Sequence, residues 1–274
     1  MNSTVKRTIF GVLFLVIMLG GLLFHPYLYA ALLLFMTGGM LWEFYHITLG
    51  ERHRPGRLLA ILAGLLAFLG TFLVTGYGFS PRLYIPILLV LLLAFSFIPE
   101  KDHTHFPEAS YLFTGLLYIA APLALTNLLV FRDGSYNGLL IVSFFCIIWS
   151  SDVGAYCFGM LFGQKGGKKM CPSISPKKSW VGFWGGIFMA VLAGLVLYLT
   201  GMLSFPVWHC LILAAIMGTV GVAGDLFESL WKRSFGFKDS GNIIPGHGGL
   251  LDRFDSTLFA FPAGLAYLLL FELI

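Results

Sequence analysis

The sequence has little charge: of 274 residues, 17 are lysine or arginine and 13 are aspartate or glutamate, 11% together. With 58% hydrophobic residues and a mean hydropathy of +0.88, that scarcity excludes a soluble domain and places the chain among polytopic membrane proteins. Cysteine is scarce too. Cys146, Cys157, Cys171 and Cys210 form no C-x-x-C pair and no pattern with histidine, which excludes a zinc site or disulfide framework and leaves free, mostly buried thiols. The order G-x-x-x-x-G-K-S/T is missing, so a P-loop ATPase is disfavoured, and G-x-S-x-G, H-E-x-x-H and kinase signatures are missing as well.

What is abundant is apolar runs. At about 20 residues per crossing, spans fall near 8–24, 27–48, 58–78, 82–99, 110–131, 138–162, 180–200, 206–230 and 254–273. The expected fold is therefore an all-α polytopic integral membrane protein with nine transmembrane helices. Lys6-Arg7 and the run after them resemble a secretory signal, but no small-x-small cleavage site follows, so this reads as an uncleaved first span. A cytosolic N-terminus puts 15 of the 17 basic residues inside, against Arg82 and Arg132 outside. The positive-inside rule supports that orientation, and an odd number of crossings leaves Ile274 outside.

Residues 1–134, about five spans, read as a transmembrane scaffold with lipid contact and an oligomer interface; a homodimer is allowed. Glu43, near the inner end of the second span with Trp42 and His46, is either an interfacial snorkelling group or a helper in a site. His103 and His105, beside Asp102 and Glu108, make a loop H-x-H that is weak grounds for a metal. Asn127 suits helix packing by hydrogen bonding. Residues 135–274, about four spans with cytosolic loops 163–179 and 231–253, read as the catalytic region.

The few charges concentrate there. The 32 residues from Gly224 to Asp255 hold five carboxylates (Asp225, Glu228, Asp239, Asp252, Asp255), four cations (Lys232, Arg233, Lys238, Arg253) and His247. Asp225 and Glu228 are spaced i, i+3, as are Asp252 and Asp255, so if each pair lies on a helix its carboxylates share a face. Two such faces make a cradle for hard divalent cations. Between them Gly241, Pro245, Gly246, Gly248 and Gly249 cannot form regular helix, and a Gly-rich loop can turn backbone N–H groups toward phosphate. The bland alternative, a solvated polar loop, sits poorly with acids set against long apolar runs.

Asp152 lies halfway along the sixth span, where a charge usually faces a partner or a water-filled cavity. The basic loop that follows ends in Ser175-Pro176-Lys177-Lys178-Ser179, opening the seventh span. Topology alone would put lysines there, but hydroxyls and lysines at a helix N-terminus also suit an anion. Acidic pairs for metal, cations and a Gly-rich loop for phosphates, all near the cytosolic face, suit a reaction joining a soluble polyphosphate to a lipid. Chemistry alone does not identify the nucleotide.

The S-x-x-K-R, K-D and P-G-H-G-G-x-x-D-R-x-D arrangement from Ser229 to Asp255 resembles the signature of phosphatidate cytidylyltransferases, or CDP-diacylglycerol synthases. Ser151 to Tyr156, Ser175 to Ser179 and Gly224 to Ser229 resemble further blocks of that family; Trp231 departs from it, where an aliphatic residue is usual. The resemblance covers the C-terminal half in motifs and the whole chain in length and hydropathy. It implies magnesium-dependent transfer of the cytidylyl group from CTP to phosphatidate, giving CDP-diacylglycerol and pyrophosphate, in the plasma (inner) membrane of a bacterium with the site facing the cytosol. Two cations per site are expected, one position being open to a monovalent ion. Nucleic acid is not an expected partner.

On that resemblance Asp225 and Asp252 are the leading metal ligands, with Asp152, Glu228 and Asp255 as further ligands or supporting carboxylates. Lys232, Arg233, Lys238 and Arg253 would bind the triphosphate or the lipid phosphate, and Lys177 and Lys178 would close over them. Asp239 joins the catalytic set, and Ser175, Ser179, Gly248 and Gly249 the substrate-binding set. His247 is either a proton donor to pyrophosphate or a structural hydrogen bond in the turn. No general base is needed, since a phosphate nucleophile is already largely ionised. Two rivals remain: a CTP-dependent enzyme for another lipid phosphate, such as an isoprenoid ether lipid, and a cation transporter using Asp152 and Asp225, although no internal repeat is evident.

Overall fold

The computed structural model describes residues 3–51, 53–97, 106–132, 134–163, 168–243 and 248–274. Among these, six helices are long and apolar enough to cross a membrane: Pro26–Leu49, Arg54–Tyr77, Ser110–Val130, Leu139–Phe162, Trp180–Leu199 and Val207–Ser234. Three shorter apolar helices, Ile9–Leu23, Pro81–Ala94 and Asp255–Leu270, fall where the other crossings were expected. The last has 16 residues, about 24 Å of helix at ~1.5 Å per residue, less than the ~30 Å of a hydrocarbon core.

The chain forms two compact units, one of Met1–Asn137 with Asp239–Arg253, the other of Gly138–Lys238 with Phe254–Ile274. The first unit begins with α1 (Ser3–Leu23) and α2 (Pro26–Leu49). They are separated at His25, whose Nδ1 accepts the Tyr27 N–H at 3.2 Å while Pro26 opens α2, as a proline at the first helical position does well. α3 (Arg54–Tyr77) packs on α2 and on α4 (Ile85–Ser96). The expected span 110–131 is not one regular helix. α5 (Phe106–Gly115) runs into a wide π turn at Leu116–Ala120, then into α6 (Ala121–Leu125) and α7 (Asn127–Val130). Pro122 explains the widening, because it donates no N–H and its ring crowds the preceding turn. Asn127 does pack by hydrogen bonding, its Nδ2 reaching Ala124 O at 2.9 Å and Phe68 O at 3.4 Å.

The hairpin of β1 (Phe131–Arg132) and β2 (Ser135–Tyr136) closes this part of the first unit. The second unit contains another antiparallel pair, β3 (Lys169–Cys171) and β4 (Ser175–Ser179), so the fold is nearly all-α, with two small hairpins. Its helices are α8 (Leu139–Phe162), α9 (Trp180–Leu199), α10 (Val207–Ser234) and α11 (Asp255–Leu270), with α9 packed on both α8 and α10, and α10 packed on α11. Close approach needs small residues here. A Cβ at Gly182 would sit 2.8 Å from the Ala155 carbonyl oxygen, and one at Gly224 would sit 2.5 Å from that of Asp255.

All four cysteines are free, as expected, but only Cys210 is buried; Cys157 is exposed on α8. Facing outward from an apolar helix is no penalty for a thiol that behaves as a small hydrophobe.

Because Gly224 sets how closely α10 approaches the start of α11, Gly224→Ala is expected to destabilise the protein by about 1–3 kcal/mol, the usual effect of overpacking. Thermal unfolding in detergent should show a lower midpoint; no shift would mean that the two helices part freely.

Candidate functional site

Within the second unit, three helices bring four acidic side chains into one neighbourhood. Asp152 comes from α8, Asp225 and Glu228 from α10, and Asp255 from the first residue of α11. Asp225 and Glu228 do share a helix, as their spacing predicts. Asp252 and Asp255 do not: Asp252 lies in a short 3-10 turn, Leu251–Arg253, and Asp255 opens the following helix. The chain also passes from one unit to the other between Arg253 and Phe254.

Asp225 is paired with Lys178, Nζ to Oδ2 at 2.5 Å, and its Oδ1 accepts from Ser229 Oγ one turn on at 3.3 Å. Asp255 accepts the N–H of the next residue, Ser256, at 2.7 Å. Asp152, Asp225 and Asp255 lie close enough to repel one another, and Lys178 attracts Asp152 as well. Three carboxyl groups thus lie within mutual repulsion while one lysine reaches two of them, Asp225 and Asp152, an arrangement that packing does not favour and a bound cation would.

Lys178 is delivered by local structure that sequence reading placed differently. Ser175 to Ser179 is strand β4, not the start of a helix. Along this strand Lys177 is exposed while Lys178 is half-buried. Ser179 then caps α9, its Oγ accepting the Gly182 N–H at 3.2 Å, so that hydroxyl already has a partner. Glu228 and Lys232 are also paired with each other at 2.7 Å, the Glu228 side chain being wholly inaccessible. Arg233 is exposed and donates to Phe237 O at 3.0 Å beyond the end of α10, and Lys238 is exposed.

The first unit holds a second polar cluster, built on the chain from Ser240 to Asp252. The Asp252 carboxylate accepts the Ser240 N–H through both oxygens, at 3.0 and 3.1 Å, and the Gly249 N–H at 2.8 Å. Gly248 turns here with φ of 85°, a value that an L side chain resists. Glu43 on α2 accepts from Leu250 N–H, Leu251 N–H and Ser240 Oγ. The amides of Ser240, Gly249, Leu250 and Leu251 therefore point at the protein's own carboxylates. Asp239 and Arg253 are exposed. Glu43 is 3% exposed, a buried helper rather than an interfacial snorkeller. The signal available was a single acid in an otherwise uncharged 24-residue helix.

His247, with Pro245 and Gly246, lies outside the described residues, as do Asp102, His103 and His105 and the loop 164–167; the side chain of Glu108 does too. Among the described residues no group of three or more His, Cys, Asp or Glu side chains is arranged to hold an ion by itself. The donors present are all oxygens, which suits a hard cation. Magnesium is commonly held by one or two carboxylates with substrate phosphates and water completing its shell, rather than by an all-protein cage, and the acids beside Lys178 fit that pattern.

Known proteins place the chain. A phosphatidate cytidylyltransferase of Staphylococcus epidermidis is 39% identical over 178 residues, 62% of this chain and 65% of that protein's length. One from Rickettsia bellii is 36% identical over 220 residues, covering 77% of this chain and 90% of its relative. One from Bacillus subtilis is 36% identical over 73% of this chain and 75% of its own length. The model of the cytidylyltransferase family matches residues 5–271, so nearly the whole sequence, apolar first half included, is accounted for, and the chain belongs to that family.

Proposed function

We propose that this protein is a phosphatidate cytidylyltransferase: CTP and phosphatidate give CDP-diacylglycerol and pyrophosphate, a step of phospholipid synthesis. A phosphate oxygen of the lipid attacks the α-phosphorus of CTP, the bond from that phosphorus to the oxygen bridging to the β-phosphate breaks, and pyrophosphate departs with that oxygen and the electron pair. The observation that carries the reading is the crowding of Asp152 and Asp255 against Asp225, itself paired with Lys178, in a member of this family.

In the proposed site Asp225 would hold magnesium, with Asp152 and Asp255 beside it. The resemblance also assigns Asp252 as a ligand, and we keep it in the set. When bound, magnesium neutralises triphosphate charge and favours loss of pyrophosphate. Lys178, paired with Asp225, would lie within reach of substrate phosphates held beside that carboxylate. Lys177, exposed on the same strand, contacts the incoming anion. Glu228 and Lys232, one turn apart on α10, neutralise each other inside the unit; Arg233, Lys238 and Arg253 give the accessible positive charge for phosphate groups. Two cations per site, a cytosolic active face, nine crossings with the short apolar helices included, a bacterial plasma membrane and a homodimer complete the proposal.

Purified protein with labelled CTP should form CDP-diacylglycerol from phosphatidate. Transfer only to an isoprenoid ether lipid phosphate would remove the substrate assignment, and ion flux without any transfer would remove the enzyme.

Asp225→Ala is expected to lower turnover by at least about a hundredfold, as loss of a preorganised electrostatic group does, with the protein still inserted and monodisperse. Ordinary turnover at ordinary magnesium would refute the ligand role.

Lys177→Ala should raise KM for CTP or phosphatidate by about tenfold, equivalent to ~1.4 kcal/mol, with a smaller change in kcat. Unchanged KM for both substrates would reduce this lysine to a topological signal.

A further inference from the structure

We infer that Glu43 is a positioning residue for the reaction, acting through the chain from Ser240 to Asp252 rather than by touching substrate. This rests on the cytidylyl transfer proposed above.

Three observations point the same way. Glu43 is the one acidic residue of α2 and is 3% exposed, so its carboxylate must be satisfied inside the protein. Its Oε1 accepts the Leu250 N–H at 2.8 Å, while Oε2 accepts the Leu251 N–H at 2.9 Å and the Ser240 hydroxyl at 2.8 Å. Donors to both oxygens suit an acceptor-only carboxylate. Second, a Cβ at either Gly241 or Gly249 would run into the Glu43 carboxylate. These glycines admit the protein's own acid. Third, Ser240 is shared: its hydroxyl goes to Glu43 and its N–H to Asp252, which also accepts from Gly249. Residues 240 and 249–251, at the two ends of the loop, are therefore clamped between two carboxylates.

The consequence concerns what the loop offers a substrate. Four backbone donors in and beside the Gly-rich stretch are turned onto Glu43 and Asp252. What the clamp fixes instead is the direction of the residues it carries, Asp252 and the adjacent Arg253. A glutamine at position 43 has the same shape but presents an N–H₂ where a backbone N–H or the serine hydroxyl now donates, so at least one contact turns repulsive.

The test uses the full-length protein in lipid nanodiscs, with Glu43→Gln, Glu43→Asp and Ser240→Ala compared by amide hydrogen exchange and by steady-state kinetics. For Glu43→Gln the expected result is faster exchange at Leu250 and Leu251 by about ten- to a hundredfold, the scale of a lost hydrogen bond to a charged group. Protection in α2 and α3 should be unchanged, and kcat should fall by a similar factor with KM for CTP moving less than about threefold. Glu43→Asp, which keeps the acceptors on a shorter arm, should recover part of the rate. Ser240→Ala, which removes one donor and leaves the carboxylate, should move both readouts in the same direction by a few-fold, and it carries the test if Glu43→Gln does not insert.

Wild-type kcat and KM in Glu43→Gln, or a loss of protection spread evenly over α2 and α3, would overturn the inference. A wild-type protein inactive with CTP and phosphatidate would remove the function beneath it, while exchange at Leu250 and Leu251 in Glu43→Gln would still show whether the clamp exists.

Discussion

A carboxylate inside an apolar helix bundle has to be given either a cation or a set of hydrogen-bond donors, and everything distinctive in this structure follows from how that requirement is met. Asp225 and Glu228 receive lysines, Lys178 and Lys232. Glu43 and Asp252 receive backbone amides and a serine hydroxyl. The two solutions differ in what they permit. A lysine on a flexible stem can be exchanged for another cation without disturbing the backbone. An acid held by several main-chain amides fixes the stretch of backbone that donates to it.

The same distinction explains the small structural devices around the cluster. A hairpin followed at once by a capped helix is a stiff way to deliver one lysine: β4 carries the half-buried Lys178, and Ser179 ties the strand's end to the first turn of α9. On the other side, Gly224 lets α10 approach the carbonyl of Asp255, which brings acids from two helices within mutual repulsion. Such repulsion is tolerable where something positive is meant to arrive.

Much of this was legible in the sequence because apolar runs and scarce charges are strong signals. The helical fold, the free thiols and the family all follow from composition and motif. Other features were hidden for physical reasons. The strand Ser175–Ser179 was read as a helix start because serine and proline serve either role, and only its pairing with β3 decides. The separation of Asp252 from Asp255 was invisible to an i, i+3 rule that assumes one continuous helix. The partners of Glu43 could not be read from local sequence, since its donors are about two hundred residues away, at separations of 197, 207 and 208. His247 and its neighbours are not described, and the sequence remains the guide there.

Those separations also bear on how the protein is made. A chain is synthesised and inserted from its N-terminus, and early segments begin to fold before later ones exist. The second helix therefore enters the bilayer with an acid whose three donors have not yet been translated, and it waits in that state until the ribosome has passed residue 251. Until then the nascent helix carries a polar defect that water, lipid headgroups or the insertion machinery must accommodate, so the final quarter of the polypeptide completes a structure begun at its start.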